Sequence, residues 1–324
     1  MLKRIKFIWI GAAMALLIQG CGGSGVSLPT VTVYAATFAG VSISSNSGLS
    51  FVNKTTTDGL GSNTVRGITL VGTKLFAATD GGVSISTDGG VSWVNKTTTN
   101  GLGNNLVFQV AGNGTNIYAA TFGGLSISTD SGATWINKTT GDGLGSSAVR
   151  SVAVDVTNVY AGTDGGFSIS TNSGLSFSNK TTADGLGNNR INGISVSGTS
   201  LYAATNGGGL SISTDGGTTW TSKTTADGLG SSTVEGVAAV GSTVYAATDG
   251  GLSISIDGGF TWANRTTSDG LGDNIVIRVS ANGNRVFAGT NGGLSISTNS
   301  GQTFGNKTTT NGLGNNVVTD VVSQ

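Results

Sequence analysis

The sequence has no histidine, and it has only one cysteine, one proline and one glutamate among its 324 residues. Histidine is the usual base near neutral pH and the commonest metal ligand, so its absence excludes a His-containing catalytic triad and a His-ligated zinc site. The single cysteine excludes a disulfide within the chain. Sixteen basic and sixteen acidic residues cancel, so the chain as a whole has no field that would attract nucleic acid. We therefore expect no metal, no cofactor and no nucleic-acid partner.

The first thirty residues have the pattern of a targeting segment. Three basic residues (Lys3, Arg4, Lys6) precede an apolar run over residues 7–18, which is too short for a comfortable membrane span. The run ends at Ile18-Gln19-Gly20-Cys21, which resembles a bacterial lipobox, although Gln19 departs from its usual pattern. The resemblance implies a lipoprotein signal peptide over residues 1–20, lipid attachment at Cys21, and a place in the bacterial cell envelope. Since Gly22 follows the cysteine, it also implies the outer membrane where two membranes are present. Residues 21–30 then form a flexible tether. The alternative is an ordinary signal peptide with an incidental cysteine.

Glycine is abundant, with 56 residues, and the glycines mark a repeat. The repeat is clearest in a box that reads Ser-x-Asp/Asn-x-Gly-x-Ser/Thr-Trp/Phe. Its third position falls at Asn46, Asp88, Asp130, Asn172, Asp215, Asp257 and Asn299. The step is 42 residues, with one step of 43 where an extra glycine lengthens the stretch 206–209. A period of about 40–50 residues with several short strands in each unit is typical of propeller blades.

Each repeat unit contains four β-like runs joined by tight turns, so residues 31–324 are predicted to form an all-β, seven-bladed propeller of four-stranded antiparallel blades. The repeat begins at Val31 with the second strand of a blade, and it ends with a first strand over residues 317–321. Both incomplete units are completed if the C-terminal strand joins the N-terminal blade. We expect this pairing to close the ring, because closure removes open sheet edges.

The box resembles the Asp-box, or bacterial neuraminidase repeat, of sialidase-like propellers. The linking stretch over residues 55–63 is similar to the repeat of propeller sensors in two-component regulators. These resemblances imply a sialidase-like propeller over residues 31–324. The box itself is interpreted as a turn-stabilising element, because a short side-chain carbonyl can accept backbone N–H bonds and three of the seven copies carry Asn.

The resemblance does not extend to the catalytic residues of sialidases. The family uses an arginine triad, a Tyr–Glu pair and an acidic residue, and its first arginine lies in an Arg-Ile-Pro-like motif. This sequence has no such motif, and Glu235 is its only glutamate. No catalytic residue is therefore assigned, and an enzyme, if there is one, would be a glycoside hydrolase.

A second repeated feature is a basic residue followed in five blades by an aspartate four residues later. The basic residues are Lys54, Lys96, Lys138, Lys180, Lys223, Arg265 and Lys307. We interpret them as members of local ion pairs or turn contacts. The alternative is a basic ring that binds an anionic polymer, which the paired acids would largely neutralise.

When repeats are this similar, a binding site is expected where the copies differ. One position of the first strand varies among the blades: Arg66, Phe108, Arg150, Asn192, Glu235, Ile277 and Thr319. First strands of propellers line the central channel, so these side chains are predicted to form a ring at its mouth, with Arg190, Arg278 and Asp320 nearby. Arginines suit carboxylate or sulfate groups. Phe38 and Phe122, in the turn after the second strand, are further candidate contacts. The alternative is a tolerant, solvent-facing surface.

The sequence therefore predicts a lipid-anchored, non-enzymatic binding module on the bacterial envelope, for a glycan, a protein or a small anionic ligand. The membrane is contacted through the anchor at Cys21, and the chain is expected to be a monomer. A divergent sialidase-like glycoside hydrolase is one alternative. An assembly factor for a membrane complex is another, because arginine-lined surfaces serve that role in some lipid-anchored Asp-box propellers.

Overall fold

Seven four-stranded antiparallel sheets form a ring of blades in the computed structural model, which describes residues 30–324. Blade 1 combines the last strand of the chain with the first three strands, and blades 2 to 7 each consist of four consecutive strands. The predicted signal peptide, Cys21 and nearly all of the tether lie outside the described residues. Among residues 30–324, no helix is long and apolar enough to cross a membrane.

The strands occupy equivalent positions in every blade. The inner strands are β4 (Val65–Val71), β8 (Val107–Asn113), β12 (Val149–Val154), β16 (Ile191–Ser197), β20 (Val234–Val240), β24 (Val276–Asn282) and β28 (Val318–Ser323). The second strands are β1 (Val33–Thr37), β5 (Lys74–Thr79), β9 (Asn116–Thr121), β13 (Val159–Thr163), β17 (Ser200–Thr205), β21 (Thr243–Thr248) and β25 (Arg285–Thr290).

The two outer strands of each blade have five residues or fewer. The third strands are β2 (Gly40–Ser44), β6 (Gly82–Ser86), β10 (Gly124–Ser128), β14 (Gly166–Ser170), β18 (Leu210–Ser213), β22 (Gly251–Ser255) and β26 (Gly293–Ser297). The outermost strands are β3 (Val52–Lys54), β7 (Val94–Lys96), β11 (Ile136–Lys138), β15 (Ser178–Lys180), β19 (Thr221–Lys223), β23 (Ala263–Arg265) and β27 (Gly305–Lys307).

The predicted closure of the ring by the C-terminal strand is confirmed. Strand β28 pairs antiparallel with β1, with Val33 opposite Ser323 and Ala35 opposite Val321. Thr32 and Gln324 exchange backbone hydrogen bonds of 3.1 and 2.9 Å. Because every blade then has a neighbour on both sides, no blade of the ring leaves a face uncovered.

Neighbouring blades pack face to face through a core of small and large apolar side chains. At the junction of blades 1 and 2, Ala36 and Val41 cluster with Leu75 and Trp93, all at most 5% exposed. The alanine allows close approach of the sheets, and the indole fills the remaining gap. Burying a side chain such as Leu75 contributes about 1.5–3 kcal/mol, so each blade is held largely by its neighbours.

The two faces of the ring carry different turns. The box turn of a blade is bonded to the turn between its first two strands, as in Ser131 N to Thr115 O (2.9 Å). These turns together form what we call the box face. On the opposite side, the turn between the second and third strands is bonded to the end of a linker, as in Asp80 N to Thr64 O (3.2 Å). We call this side the linker face.

The box acts as a turn element, as predicted. In blade 2, Asp88 Oδ1 accepts bonds from Ser86 Oγ (2.7 Å) and Ser92 N (3.0 Å), and Oδ2 accepts from Ser92 Oγ (2.6 Å). These bonds, the one from the Ser92 hydroxyl foremost, hold the pKa of Asp88 well below its usual range. Asn46 accepts the equivalent bonds from Ser44 and Ser50 in blade 1, so the turn does not need a charge.

The linkers contain one short 3₁₀ turn each. These turns are Thr56–Asp58, Thr98–Asn100, Thr140–Asp142, Thr182–Asp184, Thr225–Asp227, Thr267–Asp269 and Thr309–Asn311. In the first of them, Asp58 accepts a bond from Thr55 N (2.9 Å), which is the main reason that the pKa of Asp58 is lowered. Asp58 also pairs with Lys54 Nζ at 3.1 Å.

The repeated basic residues take part in local contacts, as predicted. The ion pairs are Lys54–Asp58, Lys138–Asp142, Lys180–Asp184 and Lys223–Asp227. Arg265 instead donates from Nε to the carbonyl of Gly301 in the next box turn, at 3.2 Å. At least these five basic residues are therefore engaged by their own or the neighbouring blade.

Candidate binding site at the channel mouth

A β-bulge interrupts every inner strand at the position that varies between blades. In blade 2, Val65 is opposite Thr79 and Gly67 is opposite Ala78, so Arg66 is the extra residue. The same shift leaves out Phe108, Arg150, Asn192, Glu235, Ile277 and Thr319 in the other blades. A bulged residue lies outside the ladder and its side chain is re-aimed. Residues three apart in a regular strand face opposite sides of the sheet. The extra residue of the bulge lets Val65 and Ile68 pack in the same core cluster.

The bulges bring all seven predicted residues to one cavity on the linker face. The cavity has a volume of about 210 Å³, and Phe38, Arg190 and Arg278 complete its lining. The predicted ring of side chains at the channel mouth is therefore present in the structure. Its role in ligand binding stays a prediction.

Three of these side chains form a stack on one side of the mouth. The ring of Phe108 lies between the guanidinium groups of Arg66 and Arg150, at 5.6 and 5.3 Å from its centroid. Cation–π contacts of this kind contribute about 0.5–2 kcal/mol each, depending on exposure. The stack fixes two cations and one aromatic face in a definite arrangement.

Both stacked arginines are paired with an acid from the turn after the second strand. Arg66 makes a two-pronged contact with Asp80, with Nη2 to Oδ2 at 3.1 Å. Arg150 makes the same contact with Asp164, with Nη2 to Oδ2 at 3.0 Å, and Arg190 lies 3.8 Å from Asp164. Most of the positive charge on this side of the mouth is therefore balanced locally, which makes it less suited to a simple anion than the arginines alone suggested.

The opposite side of the mouth carries carboxyl groups. Burial raises the pKa of Glu235, and the nearby carboxylate of Asp249 raises it further, although Arg278, Arg190 and Arg150 act in the opposite direction. Burial also raises the pKa of Asp249. Glu235 and Asp249 occupy in blade 6 the two positions held by Arg66 and Asp80 in blade 2, so a like-charged pair stands where an ion pair is found elsewhere.

Arg278 lies at the floor of the mouth, one residue after the bulge of blade 7. Its Nη1 donates to the carbonyls of Glu235 (2.6 Å) and Asn192 (3.3 Å), in the two preceding blades. A Cβ at Gly193 would lie 3.0 Å from Arg278 Nη1, and one at Gly236 would lie 3.1 Å from its Cδ. The two glycines thus leave the room that this long side chain needs.

Other polar side chains tie the inner strands together around the channel. Asp320 accepts from Ile68 N at 3.0 Å, and Gln109 accepts from Val152 N at 3.0 Å. Burial raises the pKa of Asp320, while the charge of Arg278 counteracts part of this effect. Two of the bulged residues also bond to the next blade, Asn192 to the carbonyl of Val234 and Thr319 to that of Val65. Asn192 and Thr319 are only 7% exposed and therefore serve the ring as well as the cavity.

The acids of the linker face were not assigned to the site from the sequence. The signal was present, because Asp80 and Asp164 each follow the bulged arginine by fourteen residues.

The two phenylalanines predicted as further contacts differ in position. Phe38 lines the cavity and is 45% exposed, whereas Phe122 is 52% exposed in its own turn. Among residues 30–324, no group of three or more acidic or cysteine side chains is placed to hold a metal ion.

No protein-family model and no curated protein matches the sequence, whereas many solved structures share the fold. A complex of YCF48 with a D1 peptide has a TM-score of 0.58 and 16% identity, over 77% of this chain and 83% of that one. The extracellular domain of a one-component system from B. thetaiotaomicron has a TM-score of 0.65 and 16% identity, over 84% of this chain but only 39% of that one. A GH74 xyloglucanase from Xanthomonas campestris has a TM-score of 0.63 and 17% identity, over 84% of this chain and 50% of that one. The TM-scores establish the propeller fold, and at identities this low the similarity establishes the fold alone. These three proteins include binding, regulatory and hydrolytic ones.

Proposed function

We propose that this chain is a non-enzymatic binding module of the bacterial cell envelope, anchored by lipid at Cys21, and that its channel mouth binds a segment of another protein. The convergence of the seven variable bulge residues on one cavity carries the proposal. The blades are otherwise nearly identical, so the mouth is where the chain differs from a purely symmetric scaffold. The similarity of the box to Asp-boxes, which occur in many propellers without catalysis, agrees with a binding role.

The charges of the mouth favour a protein segment over a polyanion. One side offers an aromatic face between two arginines, and the other side offers the carboxyls of Glu235 and Asp249. An extended peptide can present a carboxylate to the first side and an amine or guanidinium to the second, whereas a uniformly anionic polymer would meet repulsion at Glu235. The neighbour that is seen with a D1 peptide shows that a propeller of this fold can bind a peptide.

The proposal can be tested with variants borrowed from other blades of the same chain. Arg66→Asn combined with Asp80→Asn reproduces in blade 2 the Asn192 and Asn206 pair that blade 5 already has, so the fold should be unaffected. We expect peptides selected from a displayed random library on the wild type to lose binding to this double variant and to Phe108→Asn. The control is Phe260→Thr on the box face, which should bind as the wild type does.

A glycan array screened in parallel separates the glycan alternative from the proposal. Selected peptides that bind all variants equally would refute the mouth as the site. A glycan that binds the wild type but not the Arg66→Asn, Asp80→Asn variant would move the ligand class to carbohydrate.

Glycoside hydrolysis is the second candidate, because one observation favours it. A general acid needs a raised pKa and a second carboxylate close by, and Glu235 has both. Incubation with xyloglucan and other β-glucans, followed by reducing-end detection, tests it. Hydrolysis by the wild type that is lost in Glu235→Gln would establish an enzyme, and no hydrolysis is expected if the channel mouth only binds.

A further inference from the structure

Exposed apolar side chains are concentrated on the box face. Of the thirteen large hydrophobic residues that are exposed within residues 30–324, seven lie in or beside its turns: Leu49, Val91, Val156, Leu175, Val240, Ile256 and Phe260. Three more, Val52, Val94 and Ile136, begin the outermost strands just after a box turn. The linker face carries only the remaining three. Their exposed fractions range from 48% for Val240 to 87% for Val156, so the box face presents more exposed apolar side chains than the linker face.

These tips are held rigidly. The box carboxylate bonds backbone and hydroxyl groups across each turn, as Asp257 does with Phe260 N (3.0 Å) and Thr261 N (3.0 Å). Val156 stands on a turn in which Asp155 accepts hydrogen bonds from Thr157 N (3.1 Å), Asn158 N (2.8 Å) and the Tyr160 hydroxyl (3.0 Å). The apolar tips are therefore fixed points spaced around a disc, which suits a flat surface better than a single peptide.

A groove opens between blades 6 and 7 beside the most apolar of these turns. It has a volume of about 520 Å³, and its walls include Tyr245, Ile254, Ile256 and Trp262. Ile256 is unusual, because five other blades have Thr at this position and the remaining one has Ser. Trp262 is also less buried than Trp93, Trp135 and Trp220. The groove adds a concave apolar site to the same face.

The described chain begins on this face. Val31 is bonded to the box turn of blade 1, with its N donating to Ser47 Oγ (3.1 Å) and its carbonyl accepting from Ser47 N (3.1 Å). From residue 30 back to Cys21 there are nine residues, which span at most about 30 Å when fully extended. A lipid at Cys21 would therefore hold the bilayer within this distance of the box face.

We propose that the box face is the membrane-contacting surface of the protein, with its apolar tips resting on the bilayer and the channel mouth turned away from it. The inference rests on the proposed lipid anchor at Cys21. Attraction between opposite charges is not expected to drive this contact, because the box aspartates on this face have lowered pKa values and carry negative charge at neutral pH. The contact with neutral lipid should therefore persist at high salt.

The orientation is tested on the full chain isolated from a bacterial host, with a single added cysteine for a fluorescent label. Phe260→Cys places the label on the box face and Phe122→Cys places it on the linker face. The protein is reconstituted on phosphatidylcholine vesicles that contain a nitroxide lipid. We expect strong quenching of the label at 260 and little at 122. Equal quenching, or stronger quenching at 122, would overturn the orientation.

Intact-mass measurement of the same samples separates this inference from the proposed anchor. A mass without acyl chains at Cys21 would refute the anchor and the orientation that depends on it. An acylated protein with equal quenching at the two labels would refute the orientation alone and leave the anchor standing.

The role of the apolar tips is tested with residues that other blades already tolerate. Leu175→Thr, Ile256→Thr and Phe260→Thr are combined, since Thr218 and Thr214 occupy these positions in blade 5. With the label at Val91→Cys, we expect the triple variant to lose most of the quenching, while Phe122→Asn keeps it. Unchanged quenching in the triple variant would show that these tips do not make the contact.

Discussion

Val321 lies on the strand that closes the ring, and shortening it to alanine tests that closure. Its side chain is 3% exposed and packs with Phe51, Phe287 and Leu294. The two lost carbons are worth about 1.6 kcal/mol, at ~0.8 kcal/mol for each buried CH₂. The cavity left between two blades adds to this, so we expect Val321→Ala to lower the free energy of unfolding by about 2–3 kcal/mol.

Val152→Ala is the matched comparison, because Val152 holds the same position in blade 4 and is 2% exposed. All four strands of blade 4 are continuous in sequence, so its inner strand is certain to be in place. The two variants should agree within about 0.5 kcal/mol if β28 is docked equally well. Urea unfolding followed by tryptophan fluorescence and by circular dichroism measures both, with Ser323→Ala as a control of small effect. A loss below about 0.5 kcal/mol for Val321→Ala, beside a full loss for Val152→Ala, would refute the closure.

Two further predictions concern carboxyl groups with shifted pKa values. Because the pKa of Glu235 is raised in the folded protein, its ionisation costs stability as pH rises above the unfolded value of about 4.3. Glu235→Gln should therefore raise the thermal midpoint at pH 7 and not at pH 3.5, and a lower midpoint at pH 7 would contradict this account. The box aspartates have lowered pKa values, so their contribution is present above about pH 3.9 and is lost as pH falls further. A variant with Asn at Asp88, Asp130, Asp215 and Asp257 should lose less stability than the wild type between pH 5 and pH 2, and identical acid profiles would argue against the box carboxylates as the cause.

The architecture could be predicted from the sequence because the same strand and turn pattern occurs in seven copies. Seven boxes at a nearly constant step fix the number of blades, and alternating runs such as 83–86 fix the strands. The closure followed from the mismatch between a chain that begins with a second strand and ends with a first strand. Strand ends were less certain: β28 begins at Val318 and extends to Ser323, further than the run of apolar residues indicated.

The site could be predicted only in part. Variation among the repeats located the seven residues, because a position that accepts six residue types in seven blades is not fixed by packing between blades. The bulge was not predicted, since a shift of register depends on how two strands pair and leaves no pattern in one strand alone. Without the bulge, the pairing of Arg66 with Asp80 and of Arg150 with Asp164 could not be seen, and the mouth was expected to be more basic than it is.

The bulge also explains how a ring of nearly identical blades can carry an asymmetric site. A residue outside the ladder makes no cross-strand pair, so Arg, Phe, Asn, Glu, Ile and Thr can all occupy it while Val65 and Ile68 keep their buried places. The neighbouring turn supplies a second variable residue, and together the two positions give an ion pair in blade 2 and a like-charged pair in blade 6. Exchanging these pairs between blades should therefore change what the mouth binds and leave the packing of the ring as it is. The mouth can vary with little effect on the scaffold because the bulge removes one residue per blade from the strand ladder, although Asn192 and Thr319 also bond to the next blade.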